Sequence, residues 1–356
     1  MYQNRINKVR ESFESYNING IIIASRYNRY YLSGFTGTNG YLIIDKDRNI
    51  LITDSRYIEQ ASKQCPDYEI INQGKNIYET IQKVLQQMNI LELGFEDNHI
   101  TYREYADYEK NIQNLKLIPV RNSVERIREI KNAEEIKKIK KAAQIADETF
   151  NHILGYIKPG VEEKEIALEI DYYMKKLGAS ELSFKTIAAS GERSSMPHGV
   201  AGSRKIVFGD NITLDFGCIY EGYCSDMTRT VFVGQAQENI KDIYKIVLEA
   251  QKAALQMLKP GLLCKDVDAC ARDIIKEYGF GENFGHGLGH SVGLEVHEEP
   301  AISTKSDRIL ESGMVITIEP GIYLESIGGV RIEDLVLITE TGYENLVSSR
   351  KDMIII

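Results

Sequence analysis

The chain has 356 residues, of which 43% are hydrophobic and 27% charged, as is typical of a soluble globular protein with one large or two ordinary domains. Its formal net charge of −9 argues against a general nucleic-acid-binding protein. No apolar run approaches the roughly 18 residues that a membrane-spanning helix needs, so we expect no membrane partner.

The first residues predict an amphipathic helix rather than a secretion signal. Ile6, Val9, Phe13 and Tyr16 recur at helical spacing with polar residues between them. The five cysteines are odd in number and form no Cys-x-x-Cys pair. We therefore interpret them as reduced thiols of a cytoplasmic protein.

Residues 1–125 predict an N-terminal α/β domain, because short apolar strands alternate with helical patterns. The predicted strands are 20–24, 40–44, 50–53, 68–71, 93–95 and 115–120, and the predicted helices after the first are 56–63, 77–88 and 101–112. We interpret the glycine- and tyrosine-rich segment 28–37 as a structural loop, with a contribution to a binding pocket as the alternative. It does not fit a phosphate-binding loop, since no Gly-x-Gly-x-x-Gly opens a helix there.

Residues 126–356 predict a second domain that contains an internal duplication. Segment 209–217 resembles segment 313–321 at an offset of 104 positions, and 156–161 resembles 257–262 at an offset of 101. Gly178 and Gly279 share the second offset, and each follows a helical pattern. In the first copy, strands are predicted at 206–208, 212–217 and 228–233. A repeat of this length indicates one domain with pseudo-twofold symmetry rather than a solenoid.

Each copy carries two carboxylates next to its strands. Asp215 and Glu319 end corresponding strands, and Asp226 and Glu333 introduce the next strand of each copy. Any one of them alone is explained as a hydrogen-bonded acid at a strand end. Four acids brought together by symmetry would repel one another unless cations lie between them. Two divalent ions would balance the four charges, as in the dinuclear sites of aminopeptidases.

Three of the six histidines lie in the glycine-rich segment 284–298. His286 and His290 are four residues apart, as in helical zinc sites, but the glycines between and around them make a helix improbable. With His297, they are either hydrogen-bonded core residues or, for at least one of them, a metal ligand. Oxygen ligands with one imidazole favour Mn²⁺ or a similar ion, and no cysteine spacing supports a structural zinc site.

Five of these residues together resemble the dinuclear signature of the pita-bread metallopeptidases, which include methionine aminopeptidase, aminopeptidase P and prolidase. The set is Asp215, Asp226, His290, Glu319 and Glu333. Segments 290–298, 318–321 and 329–334 resemble the Xaa-Pro branch most closely. The N-terminal domain also resembles the α/β domain that precedes the catalytic domain in that branch and in creatinase. The resemblance therefore implies an α/β (α+β) chain with a creatinase/prolidase-like domain before a pita-bread domain.

The resemblance implies that these five residues bind two divalent metal ions, with Mn²⁺ preferred to Co²⁺ or Zn²⁺. Asp226 and His290 would chelate one ion, Asp215 the other, and both glutamates would contribute to the pair. A hydroxide held between the metals would attack the carbonyl before proline. Glu319 would carry the proton from the water to the leaving amine.

Other residues receive substrate-side roles from the same resemblance. His198 and His297 would stabilise the oxyanion or hold the peptide, and His286 would line the proline pocket. Arg331 would steady a ligand or the substrate carboxylate, and Tyr223 is a weaker candidate for a supporting contact. The partners implied are a peptide with proline at its second position and a second copy of the chain in a homodimer.

Alternative functions remain open at this stage. Within the Xaa-Pro branch, both an aminopeptidase and a dipeptidase fit the sequence. A methionine aminopeptidase is disfavoured by the large N-terminal domain, and a metal-free creatinase-like amidinohydrolase by the five intact ligands. A catalytically inactive binding protein on the same fold is the alternative from a different functional class.

Overall fold

The structure is a computed structural model that describes residues 2–356, and it separates into two compact units. The first unit ends at Arg128 and the second is Glu129–Ile356. The division predicted from the sequence, between residues 125 and 126, lies inside the helix Ser123–Arg128 that ends the first unit.

The first unit is a six-stranded mixed sheet with helices between its strands. Its elements in chain order are α1 (Tyr2–Glu11), α2 (Phe13–Tyr16), β1 (Gly20–Ile23), α3 (Arg26–Ser33), β2 (Tyr41–Asp45), β3 (Asn49–Thr53), α4 (Ile58–Gln64), β4 (Glu69–Asn72), α5 (Ile77–Gln87), β5 (Glu92–Phe95), α6 (Tyr102–Asn111), β6 (Lys116–Pro119) and α7 (Ser123–Arg128). The strand order is β4-β3-β2-β1-β5-β6. Strands β1, β2 and β3 form an antiparallel meander, and the outer strands join it in parallel. The central strand β1 is buried along its whole length, which explains its unbroken apolar sequence.

One prediction in this unit was wrong. Most of segment 28–37, interpreted as a loop, belongs to the helix α3. Its polar residues are buried and bonded: Asn28 Nδ2 donates to Glu96 Oε1 and to Glu125 Oε1, both at 2.7 Å. Polar residues that tertiary contacts satisfy look like loop residues in the sequence, because their partners lie elsewhere in the chain.

The second unit contains four long helices and four small sheets. Its elements are α8 (Ala133–Leu154), α9 (Glu163–Lys176), β7 (Glu181–Leu182), β8 (Ile187–Ser190), β9 (Asn211–Phe216), β10 (Cys218–Tyr220), β11 (Tyr223–Cys224), β12 (Met227–Phe232), α10 (Glu238–Met257), α11 (Cys264–Glu277), β13 (Gly289–Ser291), β14 (Glu298–Ile302), β15 (Val315–Ile318), β16 (Gly321–Leu324), β17 (Gly328–Arg331), β18 (Asp334–Ile338), β19 (Tyr343–Asn345) and β20 (Ile354–Ile355). Short 3₁₀ turns lie at Gly191–Ser195 and Gly281–Asn283. The sheets have the orders β20-β12-β9-β8, β14-β13-β15-β18-β19, β11-β10-β7 and β16-β17.

The sequence repeat is visible in this unit as two equivalent arrangements. Strand β9 lies between β8 and β12, and β15 lies between β13 and β18, with antiparallel pairing in all four cases. A pair of helices precedes each arrangement. Gly178 and Gly279, which follow α9 and α11, have φ angles of 107° and 87°, and a Cβ at either position would meet nothing within 4 Å. The left-handed backbone, rather than lack of space, therefore requires glycine at both helix ends.

The predicted strand 206–208 was also wrong. Ile206 bonds through its backbone to Val161 and Gly160, and Val207 and Phe208 are 50% and 68% exposed. Three consecutive apolar residues suggested a strand, but no neighbouring strand reaches this segment in the described part of the chain.

The core of the second unit is packed from α10, α11 and the strands of the second repeat. All five cysteines are free thiols, and four of them are buried. No helix among residues 2–356 is long and apolar enough to span a membrane.

Candidate active site

The four predicted carboxylates stand where the repeated strands begin or end. Asp215 lies in β9, opposite Thr228 of β12, and Asp226 immediately precedes β12. In the second copy, Glu319 follows β15 and Glu333 precedes β18. Because β12 pairs with β9 as β18 pairs with β15, each copy presents its two acids close together.

A cavity of about 530 Å³ is lined by nine of the ten residues that were predicted to belong to the site, all except the weaker candidate Tyr223. Its lining consists of Phe184, Lys185, Ile187, Pro197, His198, Val200, Asp215, Asp226, His286, Gly287, Gly289, His290, His297, Ala301, Ser303, Glu319, Arg331 and Glu333. The volume lies within the range of small-molecule sites. One cavity therefore contains the proposed metal ligands together with polar and apolar groups that a substrate can contact.

His290 lies among the acids. Its Nε2 atom is 3.3 Å from Glu319 Oε1 and 3.6 Å from Asp226 Oδ2. Asp226, His290 and Glu333 each offer one ligand atom, and these atoms all lie within 4.8 Å of one another. The backbone N–H of His290 donates to Thr317 Oγ1, whose hydroxyl in turn donates to Glu319 Oε1 at 3.0 Å. Neighbouring strands thus hold the imidazole and the carboxylate side by side.

Two carboxylate oxygens of this group are buried and lack a hydrogen-bond donor anywhere in residues 2–356. They are Asp215 Oδ1 and Glu333 Oε1. A buried carboxylate oxygen without a partner is costly, and a metal ion would remove that cost. Carboxylate oxygens and one imidazole that line the same cavity form a ligand set that suits divalent cations such as Mn²⁺.

Burial and mutual repulsion strongly shift the pKa values of these acids when no cation is present. Burial, followed by the charges of neighbouring carboxylates, raises the pKa values of Asp226 and Glu333 well above their usual range. Burial also raises the pKa of Asp215, although the Arg331 guanidinium opposes it. Such a set becomes fully ionised only when positive charge enters it.

Glu319 differs from the other three acids. Burial opposes its ionisation, but the hydrogen bond and charge of His290 prevail and lower the pKa of Glu319 to about 2. Burial opposes the charged form of His290 as well, yet Glu319 raises the pKa of that imidazole. Without a cation in the site, each of these two groups therefore favours the charged form of the other.

Arg331 is a buried connector between Asp215 and the cavity wall. Its Nη2 atom donates to Asp215 Oδ2 at 2.6 Å, and Nη1 donates to the Tyr323 hydroxyl at 2.7 Å and to the Pro197 carbonyl at 3.2 Å. Nε donates to Thr228 Oγ1 at 3.1 Å. Burial opposes its charge, but Tyr323 and Asp215 keep the pKa of Arg331 well above its usual value. These contacts hold one oxygen of Asp215, while its other oxygen has no donor within residues 2–356.

The remaining histidines line the cavity around this centre. His286 bonds through Nε2 to the Tyr323 hydroxyl at 3.0 Å, and burial lowers its pKa. The ring of His297 lies edge-on to that of His290, with 4.4 Å between the centroids, and burial lowers the pKa of His297. His198 is exposed at the cavity edge. Imidazole groups that line the cavity can donate hydrogen bonds to a substrate.

Close packing explains two glycines of segment 284–298. A Cβ at Gly289 would lie 2.1 Å from the carbonyl oxygen of Thr317, and one at Gly293 would lie 2.4 Å from Glu298 Oε2. The first glycine lets β13 approach β15, which positions His290. The second admits the Glu298 carboxylate into the turn before His297.

That carboxylate forms a buried clamp with Lys131. Lys131 Nζ lies 3.1 Å from Glu298 Oε2 and donates to Ser291 Oγ at 3.2 Å. Glu298 Oε1 accepts the backbone N–H groups of Leu294 and Glu295. The Lys131–Glu298 pair therefore holds together the two ends of segment 291–298, which connects His290 to His297.

Several residues that hydrogen-bond to the predicted site residues were not predicted from the sequence. Tyr323 and Thr228 bond to Arg331, Thr317 bonds to Glu319, and Thr228 also donates to Glu333 Oε2 at 2.7 Å. Period-two spacing from the acids could have found two of them, since Thr228 is two residues after Asp226 and Thr317 two before Glu319. The weaker candidate Tyr223 donates instead to Glu135 of α8 and is not among the described cavity-lining residues.

Fold and site together define a hydrolase with a metal-binding carboxylate–histidine centre, and comparisons with known proteins give its family. Residues 137–340 match the metallopeptidase family M24, and residues 5–130 match the creatinase/prolidase N-terminal domain. The chain belongs to metallopeptidase family M24, with a creatinase/prolidase N-terminal domain before the pita-bread domain. This confirms the fold class and the family inferred from the sequence.

Individual relatives cover the whole length of the chain. It is 47% identical to the uncharacterized peptidase YqhT of Bacillus subtilis strain 168, over 99% of this chain and 100% of the relative. Among solved structures, an Xaa-Pro dipeptidase from Bacillus anthracis has a TM-score of 0.98 and 46% identity, covering 100% of both chains. An X-Pro aminopeptidase from Thermotoga maritima MSB8 has a TM-score of 0.91 and 38% identity, covering 97% of this chain and 100% of that one.

Proposed function

We propose that this protein is a metal-dependent exopeptidase that hydrolyses the peptide bond between an N-terminal residue and a following proline. The observation that carries the proposal is the cavity in which five potential metal ligands converge and two buried carboxylate oxygens lack a donor. The names of the relatives from Bacillus anthracis and Thermotoga maritima support the Xaa-Pro preference.

The metal ligands in this proposal are Asp215, Asp226, His290, Glu319 and Glu333. Together they would hold two divalent ions, and Mn²⁺ is our choice over Co²⁺ or Zn²⁺ because most of the donor atoms are carboxylate oxygens. When bound, such ions make a coordinated water acidic near neutral pH and polarise the substrate carbonyl.

The chain's own groups supply proton transfer and orientation. Glu319 stands beside His290 and is the proposed group that moves a proton from the attacking water to the leaving proline nitrogen. His198 and His297 are proposed to hold the carbonyl oxygen as negative charge develops on it. His286 faces the proline side, and Arg331 keeps Asp215 in its ligand orientation.

The proline preference has a physical basis in the substrate. An Xaa-Pro bond has no N–H, so a peptidase that holds substrate by strand pairing loses a hydrogen bond there. A cavity with apolar walls avoids that requirement. Ile187, Pro197 and Val200 provide such walls next to the proposed ligands.

We further propose that the enzyme works as a homodimer in the cytoplasm. The dimer is taken from the family resemblance. A reducing compartment agrees with five free cysteines, because disulfides are rare in the cytoplasm.

The proposal is tested by hydrolysis of an Xaa-Pro dipeptide and an Xaa-Pro-containing tripeptide after chelation and after addition of Mn²⁺, Co²⁺ or Zn²⁺. We expect metal to restore release of the first residue. Stoichiometric metal binding without cleavage of either substrate would refute the Xaa-Pro assignment. Methionyl peptides would then test the aminopeptidase alternative, and inactivity on those as well would favour a binding protein.

A further inference from the structure

Lys185 lines the cavity, and its ammonium group bonds to no other group in the described part of the chain. Two permanently charged cations line the cavity, Lys185 and Arg331. Arg331 is buried and all its nitrogens are engaged with Asp215, Tyr323, Pro197 and Thr228. Lys185 is exposed, and in the described part of the chain it has neither a hydrogen bond nor an ion pair.

Lys185 lies close in sequence to a residue that pairs with one of the proposed metal ligands. Ile187 of β8 is paired in register with Asp215 of β9, and both line the cavity. Lys185 precedes Ile187 by two residues, which is at most about 6.6 Å of chain, and both residues line the cavity. Its flexible four-carbon stem can move the ammonium group over a comparable distance.

The residues next to Lys185 are suited to contact the C-terminal end of a small peptide. Phe184 and Ile187 flank it in sequence, and both contribute apolar surface to the cavity. In an Xaa-Pro dipeptide, the C-terminal carboxylate is one residue beyond the scissile carbonyl, about 3.5 Å of chain. A pyrrolidine ring against these apolar groups would therefore bring a free carboxylate within reach of Lys185.

We propose that Lys185 binds the C-terminal carboxylate of the substrate and makes the enzyme prefer free Xaa-Pro dipeptides to longer peptides. In a tripeptide, a neutral peptide group occupies this place and forms no ion pair with the ammonium group. The inference rests on the proposed Xaa-Pro activity and adds the size class of the substrate and the residue that selects it.

The test compares Ala-Pro with its C-terminal amide, which has the same scissile bond but no carboxylate. Wild type, Lys185→Met and Lys185→Arg are assayed with Mn²⁺, and metal content is measured in each. Lys252→Met is the matched control, because Lys252 is an exposed lysine of the same unit outside the cavity lining. Lys185→Gln repeats the test if the methionine variant folds poorly.

We expect Lys185→Met to lower kcat/KM for Ala-Pro about fivefold, mainly through KM, which corresponds to the loss of a partly exposed charged contact. Its activity on the amide and its metal content should equal those of wild type. Lys185→Arg should retain most of the preference for the dipeptide, and Lys252→Met all of it.

An equal change for both substrates, or no change for either, would overturn the role of Lys185 while leaving the proposed function standing. Failure of metal-loaded wild type to cleave Ala-Pro and its amide would instead overturn the proposed function, and this inference with it.

Discussion

At the scale of single residues, Arg331 connects several groups around the site. It orients one carboxylate by a direct bond of 2.6 Å and touches three other groups around the cavity. A planar guanidinium can serve these partners at once, whereas a lysine ammonium is one compact charge. In the proposed metal site, Arg331 would therefore act through Asp215 rather than by touching a metal ion.

We predict that Arg331→Lys weakens metal affinity by about 10- to 100-fold, as is typical when a group behind a metal ligand is changed. Calorimetric titration with Mn²⁺ measures this without relying on activity. Tyr323→Phe, which removes one partner of Arg331 but leaves its bond to Asp215, is the matched control and should have a smaller effect. Equal metal affinity in Arg331→Lys and wild type would contradict the positioning role.

At the scale of one element, the segment between His290 and His297 depends on the buried Lys131–Glu298 pair. The side chains of this pair are only 1% and 6% exposed. Removing one partner would leave the other charge buried without compensation, which costs more than the intact pair contributes.

Glu298→Gln should therefore lower the free energy of unfolding by about 3 kcal/mol and reduce activity, because the turn that carries His297 loosens. Urea denaturation gives the first quantity. Glu299→Gln is the control, since that neighbouring carboxylate is exposed and should change stability by less than about 0.5 kcal/mol. Adding Lys131→Met to Glu298→Gln should recover part of the loss, and strictly additive losses would show that the two residues do not interact.

At the scale of the whole molecule, the proposed metal centre would link metal binding to folding. Asp215, Asp226, Glu319 and Glu333 come from two copies of a repeat that are about a hundred residues apart in sequence, so the site exists only when both copies are folded. A ligand that binds only the folded state stabilises it by mass action.

We predict that Mn²⁺ at a hundred times its dissociation constant stabilises the chelated protein by about 2.7 kcal/mol. Thermal unfolding with and without metal measures this as a rise in Tm. Asp226→Asn, which removes one proposed ligand, should show a smaller rise. An unchanged Tm in the wild type would contradict a metal centre at this site.

The chelated protein should also lose stability as pH rises. The pKa values of Asp226 and Glu333 are raised well above their unfolded values of about 3.9 and 4.3. Their contribution is complete below those unfolded values and disappears as pH rises through the folded pKa. Urea denaturation between about pH 5 and pH 8 should show this decline without metal, and bound metal should reduce it because it keeps the ligands ionised.

Much of the fold followed from local patterns. The strands β2 and β3, the helices that end at Gly178 and Gly279 and the strands carrying the acids were all predicted near their observed positions. Segment 28–37 was not, because distant groups satisfy its buried polar residues. The strand expected at 206–208 was not formed either, because an apolar run becomes a strand only where another strand pairs with it.

The sequence by itself determined the acids, the histidines and the repeat that carries them, because residue types and spacing are local properties and the duplication relates the two halves. Only the tertiary structure revealed the partners of those residues: Arg331 on Asp215, Tyr323 on both Arg331 and His286, and Lys185 alone among the cavity cations without a partner. Hydrogen bonds and ion pairs join atoms that the fold brings within about 3 Å, and sequence distance does not predict which atoms those are.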